Sequence, residues 1–104
     1  MNPTLGTPAG IPKQFALMQN YPNPFNPTTT IDYQLPKDAH VSIRVYDILG
    51  QLVSTLVDGE ESAGYYKVNF DGLRYASGVY FYRLVAEGNN GQRFISIKKF
   101  VLMK

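Results

Sequence analysis

Short runs in which apolar and polar residues alternate recur along this chain, and each ends in a turn signal. A period of two is typical of half-buried β-strands, since successive side chains point to opposite faces. The runs are Thr29–Leu35, Val41–Tyr46, Gln51–Val57, Tyr65–Phe70, Val79–Glu87 and Phe94–Leu102, with Phe15–Gln19 as a candidate seventh. Turns spaced ~8–12 residues apart, with no room for a crossover helix, predict an all-β antiparallel sandwich of about seven strands.

Several residues fix finer details of this predicted sandwich. Val79–Glu87 is apolar on both faces near its middle, which predicts a central strand. Asn90-Gly91 is the strongest hairpin signal in the chain. Asp58-Gly59 is expected to close the third strand, and Gly78 to supply an unusual backbone angle.

Two proline-rich segments precede the first long strand. Residues 1–14 contain Pro3, Pro8 and Pro12 among glycines, so they are predicted to be a linker before a domain at 15–104. Asn20–Pro27 holds three prolines in six residues, which excludes a helix and a central strand. Tyr21 and Phe25 are expected to pin this rigid loop onto the edge of the sandwich.

Composition excludes several classes of function. The net charge of +2 is too small to indicate nucleic acid or an anionic membrane as partner. The absence of cysteine excludes disulfides, a thiol nucleophile and Cys-based zinc sites. No apolar run approaches the ~20 residues of a membrane helix, and the first ten residues lack the features of a signal peptide. If the protein is exported, its export signal is therefore expected upstream in a longer parent chain or at the C-terminal end.

Residues that could carry chemistry have simpler structural interpretations. His40 is the sole histidine and is expected to be a surface turn residue, not a general base. Asp58, Glu60 and Glu61 are expected at a solvated hairpin tip, since the EF-hand pattern is absent. No enzyme activity, metal or cofactor is predicted. Six aromatic residues favour core packing over stacking on carbohydrate: Tyr65, Tyr66, Tyr75, Tyr80, Phe81 and Tyr82.

Four blocks of sequence, in order, carry a resemblance to a known family. The first is Tyr21-Pro22-Asn23-Pro24-Phe25, followed by a strand that ends in Leu35-Pro36. The others are Val45-Tyr46-Asp47-Ile48-Leu49-Gly50-Gln51, then Ser77-Gly78-Val79-Tyr80-Phe81-Tyr82-Arg83-Leu84, and finally Lys98-Lys99-Phe100-Val101-Leu102-Met103-Lys104. The Asp71-Gly72 turn belongs to the same pattern. Together they resemble the C-terminal sorting domain of the type IX (Por) secretion system over residues 15–104. A related domain occurs in flagellar hook-capping proteins.

This resemblance implies an immunoglobulin-like or fibronectin III-like sandwich and a role in protein export. Such domains follow a cargo protein, direct it across the outer membrane through a translocon, and are usually removed by a sortase-like peptidase. The cargo passes through the periplasm and is then anchored at the surface or released. Recognition is expected in the basic final segment, Lys98–Lys104, and cleavage within residues 1–14.

Two other functions stay open at the level of sequence. One is an immunoglobulin-like adhesion or carbohydrate-binding module, which a row of exposed tyrosines would favour. The other is a structural subunit that self-associates through its edge strands, which a solution mass far above 11.7 kDa would favour.

Overall fold

A computed structural model describes residues 10–104, so the first nine residues of the predicted linker lie outside the described part. Seven strands account for most of it. They are β1 (Ala16–Leu17), β2 (Thr28–Leu35), β3 (Ala39–Tyr46), β4 (Leu52–Glu61), β5 (Gly64–Asp71), β6 (Gly78–Gly88) and β7 (Arg93–Leu102). The predicted all-β class is confirmed, and the strand expected over Phe15–Gln19 is reduced to two residues.

The strands form two antiparallel sheets that pack face to face. One sheet has the order β1-β2-β5 and the other β4-β3-β6-β7. As predicted, β6 is central, with β3 and β7 on its two sides. The Asn90-Gly91 signal lies in the β6–β7 hairpin, where the Gly88 N–H donates to the Gln92 carbonyl at 2.8 Å.

The core lies between the sheets and is built from the inward residues of each alternating strand. Burial of these side chains is the main favourable term in folding, because apolar surface leaves water. The largest fully buried side chains are Tyr82, Phe25, Phe100, Ile31, Leu35, Ile43, Leu84, Leu102, Val41 and Val45. Gly78 has a φ of +154°, the unusual angle expected of it.

The prediction that Asp58-Gly59 closes the third strand is wrong. Strand β4 continues to Glu61, because β3 begins at Ala39 and its first residues pair with Asp58–Glu61. Two β-bulges also break the expected alternation in β4. The turn signal is overridden by the ladder that the neighbouring strand provides.

The predicted surroundings of His40 are wrong for the same reason. His40 lies in β3, not in a turn, and it contacts Glu60 at 3.0 Å and Asp58 at 3.1 Å. These two acids, with Glu61, lie in β4 and not at a solvated hairpin tip. The hydrogen bonds to Glu60 and then to Asp58 raise the pKa of His40 above its ordinary value.

Candidate functional site

The predicted recognition segment, Lys98–Lys104, divides between core and surface. Phe100 and Leu102 are fully buried, since they point from β7 into the space between the sheets. Lys99, Met103 and Lys104 are exposed, whereas Lys98 and Val101 are half-buried. A partner that meets the folded domain therefore finds three exposed side chains here, not seven.

The proline loop, Asn20–Pro27, binds the last residues of β7. The Phe25 N–H donates to the Val101 carbonyl at 2.9 Å, and the Met103 N–H donates to the Phe25 carbonyl at 2.9 Å. The Asn23 carboxamide oxygen accepts from the Val101 N–H at 3.0 Å. This loop thus covers the end of the C-terminal strand, although the two segments lie far apart in the sequence.

The ring of Phe25 fixes the proline loop to the core, as predicted. It lies 5.1 Å from the Phe100 ring and 6.0 Å from the Phe70 ring, in tilted and edge-on geometries that aromatic pairs favour. Tyr21 does not bury in the same way and is 47% exposed. Its hydroxyl instead accepts a hydrogen bond from Lys67 Nζ at 2.9 Å.

A buried polar network holds the start of the proline loop. The Asn20 N–H donates to the Tyr82 hydroxyl at 2.8 Å, and that hydroxyl donates to the Met18 carbonyl at 2.7 Å. Asn20 Nδ2 donates to Thr29 Oγ1 at 2.9 Å and to the Pro22 carbonyl at 3.1 Å. Burial raises the pKa of Tyr82 to about 12, so its hydroxyl stays protonated and can donate.

Sequence reasoning missed this network. Asn20 was assigned only to the rigid proline loop, and Tyr82 only to the aromatic residues that favour core packing. The one signal available was an asparagine before an aromatic residue and a proline, which does not reveal a partner 62 residues away.

The Asp71-Gly72 motif supports the C-terminal strand from the other side. Asp71 Oδ1 accepts from the Leu73 N–H at 2.9 Å, which is the expected turn chemistry. Gly72 donates its N–H to the Pro27 carbonyl at 2.8 Å. A Cβ at Gly72 would lie 2.9 Å from Leu102 Cδ2 and 3.3 Å from the Pro27 carbonyl oxygen, so a larger residue would have to displace the buried Leu102 side chain.

The Tyr46–Gln51 motif forms a tight turn at one end of the four-stranded sheet. Asp47 Oδ1 accepts from the N–H groups of Leu49 at 2.9 Å and Gln51 at 3.0 Å, and Gly50 completes the turn. Arg83 donates to the Tyr46 hydroxyl at 2.9 Å and stacks over its ring. An open groove of about 400 Å³ lies beside them, lined by Tyr46, Asp47, Ile48, Gly50, Phe81, Arg83 and Ile97.

The Ser77–Tyr80 motif receives the chain terminus. The Tyr80 hydroxyl donates to the Ala76 carbonyl at 2.7 Å, which closes the turn before β6. The Lys104 N–H donates to Ser77 Oγ at 3.0 Å. The motif residues therefore support the C-terminal end of β7.

The outer edge of β7 differs between its two ends in the hydrogen bonds that its backbone makes. Its backbone groups from Lys99 to Met103 are engaged by Gln19, Asn23 and Phe25. From Arg93 to Lys98, no hydrogen bond outside the β6 ladder is present among the described residues. Ile95 and Ile97 on this stretch are 50% and 58% exposed.

The described residues contain neither a metal-binding cluster nor a membrane-spanning helix. Within residues 10–104, no group of three or more His, Asp or Glu side chains is arranged to hold a metal ion. The same residues contain no helix of the length and apolar character needed to span a bilayer.

Comparisons with known proteins identify one family and one similar fold. The profile described as a secretion system C-terminal sorting domain matches residues 19–101. Among solved structures, the crystal structure of CopC from Methylosinus trichosporium OB3b superposes with a TM-score of 0.55 at 15% sequence identity, covering 86% of this chain and 93% of that one. At this identity the likeness concerns the fold alone. No curated protein matches the chain.

Proposed function

The chain belongs to the family of secretion system C-terminal sorting domains, and we propose on this premise that exposed residues at the end of its C-terminal strand are what the export machinery recognises. Domains of this family are non-catalytic signals of type IX secretion that direct an attached cargo toward the cell surface or the extracellular space. The cargo lies N-terminal to the signal. The finer steps of the route are our proposal.

The observation that carries the proposal is the attachment of the proline loop to β7. Two backbone hydrogen bonds and the buried Phe25 ring hold Val101 and Met103 against the folded domain. A sorting signal held in this way is a surface with fixed geometry, since β7 also contributes Phe100 and Leu102 to the core. We therefore expect the translocon to recognise the folded domain and not an extended tail.

Within the recognition segment we assign the contact to Lys99, Met103 and Lys104, because their side chains reach solvent. Deletion of the last five residues is a poor test, since it removes buried Phe100 and Leu102 and would unfold the domain. Substitution of the exposed side chains separates recognition from stability.

Cleavage by a sortase-like peptidase is proposed ahead of Pro12, in the linker between cargo and domain. Pro12 is buried and the Gln14 carbonyl accepts from Gln34 Nε2 at 3.0 Å, so these residues pack on the domain. Proteases cut exposed segments that can adopt an extended conformation. The division into a linker at 1–14 and a domain at 15–104 stays a prediction, and these contacts favour a domain that starts at Pro12. Mass spectrometry of the mature cargo's C-terminus would locate the cut.

The test of the function is an export assay with residues 10–104 fused behind a periplasm-directed reporter. Reporter at the surface and in the medium is measured in a bacterium with a working type IX system and in a strain without the translocon. We expect export that depends on the translocon. A folded fusion trapped in the periplasm would contradict the proposed function.

The recognition residues are tested in the same assay with Met103→Ser and Lys104→Ser together. The matched control is Leu52→Ser with Lys37→Ser, which removes one exposed apolar and one exposed basic side chain elsewhere. Loss of side chains from an interface centre costs more than about 1 kcal/mol, so export should fall about fivefold or more. Equal export by both double variants would remove the assignment.

Self-association through an edge strand is a second candidate, which the exposed Ile95 and Ile97 favour. Its test is the solution mass, which is 11.7 kDa for a single chain. The carbohydrate-binding alternative gains no support, since the six aromatic residues that prompted it are all buried or half-buried.

A further inference from the structure

Along one stretch of β7, Arg93–Lys98, no described residue bonds to the outward backbone groups, and we call this stretch the open edge. In an antiparallel ladder the outward-pointing backbone groups belong to every second residue. Lys99 and Val101 use theirs for Gln19, Asn23 and Phe25, so those of Ile95 and Ile97 point the same way. Among the described residues nothing bonds to them. The proline loop ends where the open edge begins.

The open edge differs from the other sheet edges in regularity and in apolar side chains. The pairing of β7 with β6 runs over ten residues without a bulge, whereas β4 is interrupted twice. Bulges and short lengths are common means of preventing strand addition. On β5 no large apolar side chain is exposed, and β1 has only two residues. Two exposed isoleucines on a straight edge strand are what strand addition requires.

Charge distinguishes between two occupants of the open edge. Antiparallel pairing with a second copy places Arg93 opposite Lys99 twice when Ile95 faces Ile97, and it places an isoleucine opposite Arg93 or Lys99 when Ile95 or Ile97 faces its own copy. Like charges directly opposite one another destabilise a sheet. A strand with acidic residues on both sides of two apolar ones would instead complement Arg93 and Lys99 and cover both isoleucines.

We propose that the open edge accepts one extended strand of the export machinery, with acidic residues flanking an apolar pair, and that this adds a fifth strand beside β7. The proposal rests on the proposed function and names the mode of contact. Main-chain hydrogen bonds would supply affinity, and Ile95 and Ile97 would set the register. The Met103 and Lys104 side chains lie beyond the open edge, so the two assignments can be tested separately.

The test replaces Ile97 with proline. Proline removes the outward N–H and is tolerated on an edge strand where that N–H faces solvent. Ile97→Val is the matched control, because it keeps the N–H and an apolar β-branched side chain. In the reporter assay we expect the proline variant, shown to be folded by circular dichroism, to lose about five- to tenfold in export, and the valine variant to lose less than about twofold.

Arg93→Glu is the second variant, and it tests the open-edge proposal even if the proline variant does not fold. Its side chain is exposed and its ion pair with Glu87, at 3.8 Å, is a surface contact of small energy, so the fold should persist while export falls about fivefold. If folded Ile97→Pro is exported as well as the wild-type domain, and Arg93→Glu is also exported normally, the open-edge proposal is overturned and the sorting function stands. Failure of the unaltered domain to direct export would remove both. A dimer in solution that Ile97→Pro dissociates would identify the occupant as a second copy and overturn the proposal as well.

Discussion

Replacing Phe25 with alanine removes the ring that fixes the proline loop to the end of the C-terminal strand. The ring is 2% exposed and packs against Phe70 and Phe100. Removal of a fully buried phenylalanine costs about 3–5 kcal/mol, from lost burial and the cavity that remains. Against a total stability of about 5–15 kcal/mol for a domain, this is a large share. The melting temperature should fall by about 15–30 °C.

Urea unfolding followed by far-UV circular dichroism measures this change, with Tyr21→Ala as control. Tyr21 lies on the same loop but is 47% exposed, so its loss should cost about 1 kcal/mol or less. Hydrogen exchange adds a local measure, because the Val101 and Met103 N–H groups bond to the loop and should exchange faster in Phe25→Ala. If the two variants were equally stable, the proline loop would not be anchored by its buried ring.

Three further predictions concern single contacts. Gly72→Ala should destabilise the domain by about 1–3 kcal/mol, since the new Cβ would lie 2.9 Å from Leu102 Cδ2. Urea unfolding measures this change, with Gly59→Ala as control because a Cβ at Gly59 meets no atom within 4 Å. Tyr82→Phe should cost about 1–3 kcal/mol because it leaves the buried Asn20 N–H without an acceptor, measured by thermal unfolding. The pKa of His40 is raised in the folded state, so protonation of His40 stabilises the fold. This contribution to stability is complete below the unfolded-state pKa of about 6.5, and it is lost as the pH rises through the folded-state pKa. An NMR titration of this sole histidine should give a pKa above 6.5, and His40→Gln should remove that part of the pH dependence; a pKa at or below 6.5 would contradict the contacts with Glu60 and Asp58.

The sandwich itself could be predicted from local patterns. Alternation in β2, β3 and β6 places the same residues inside that the structure buries, because a strand exposes alternate side chains to opposite faces. Asn90-Gly91 and Gly78 were also correctly interpreted, since turn chemistry depends only on neighbouring residues. The four blocks of motif residues were sufficient to identify the family that the profile match confirms.

Local patterns failed where a distant strand decides the conformation. Asp58-Gly59 has the composition of a turn, but β3 supplies ladder partners that keep it in β4. His40 shows no partner in the sequence, and it gains two across that ladder. Local preference is worth only tenths of a kcal/mol to ~1 kcal/mol per residue, so cross-strand pairing overrides it.

The sequence alone determined the period, the turns and the rigid proline loop, because these follow from backbone sterics and from neighbours along the chain. Only the tertiary structure decided that Gln19 and the proline loop cover Lys99–Met103 and that no described residue bonds to the outward backbone groups of Arg93–Lys98. It also divided the final segment into buried Phe100 and Leu102 and exposed Lys99, Met103 and Lys104. Both outcomes join residues about eighty positions apart, and such contacts arise from packing of the two sheets, which no local pattern encodes.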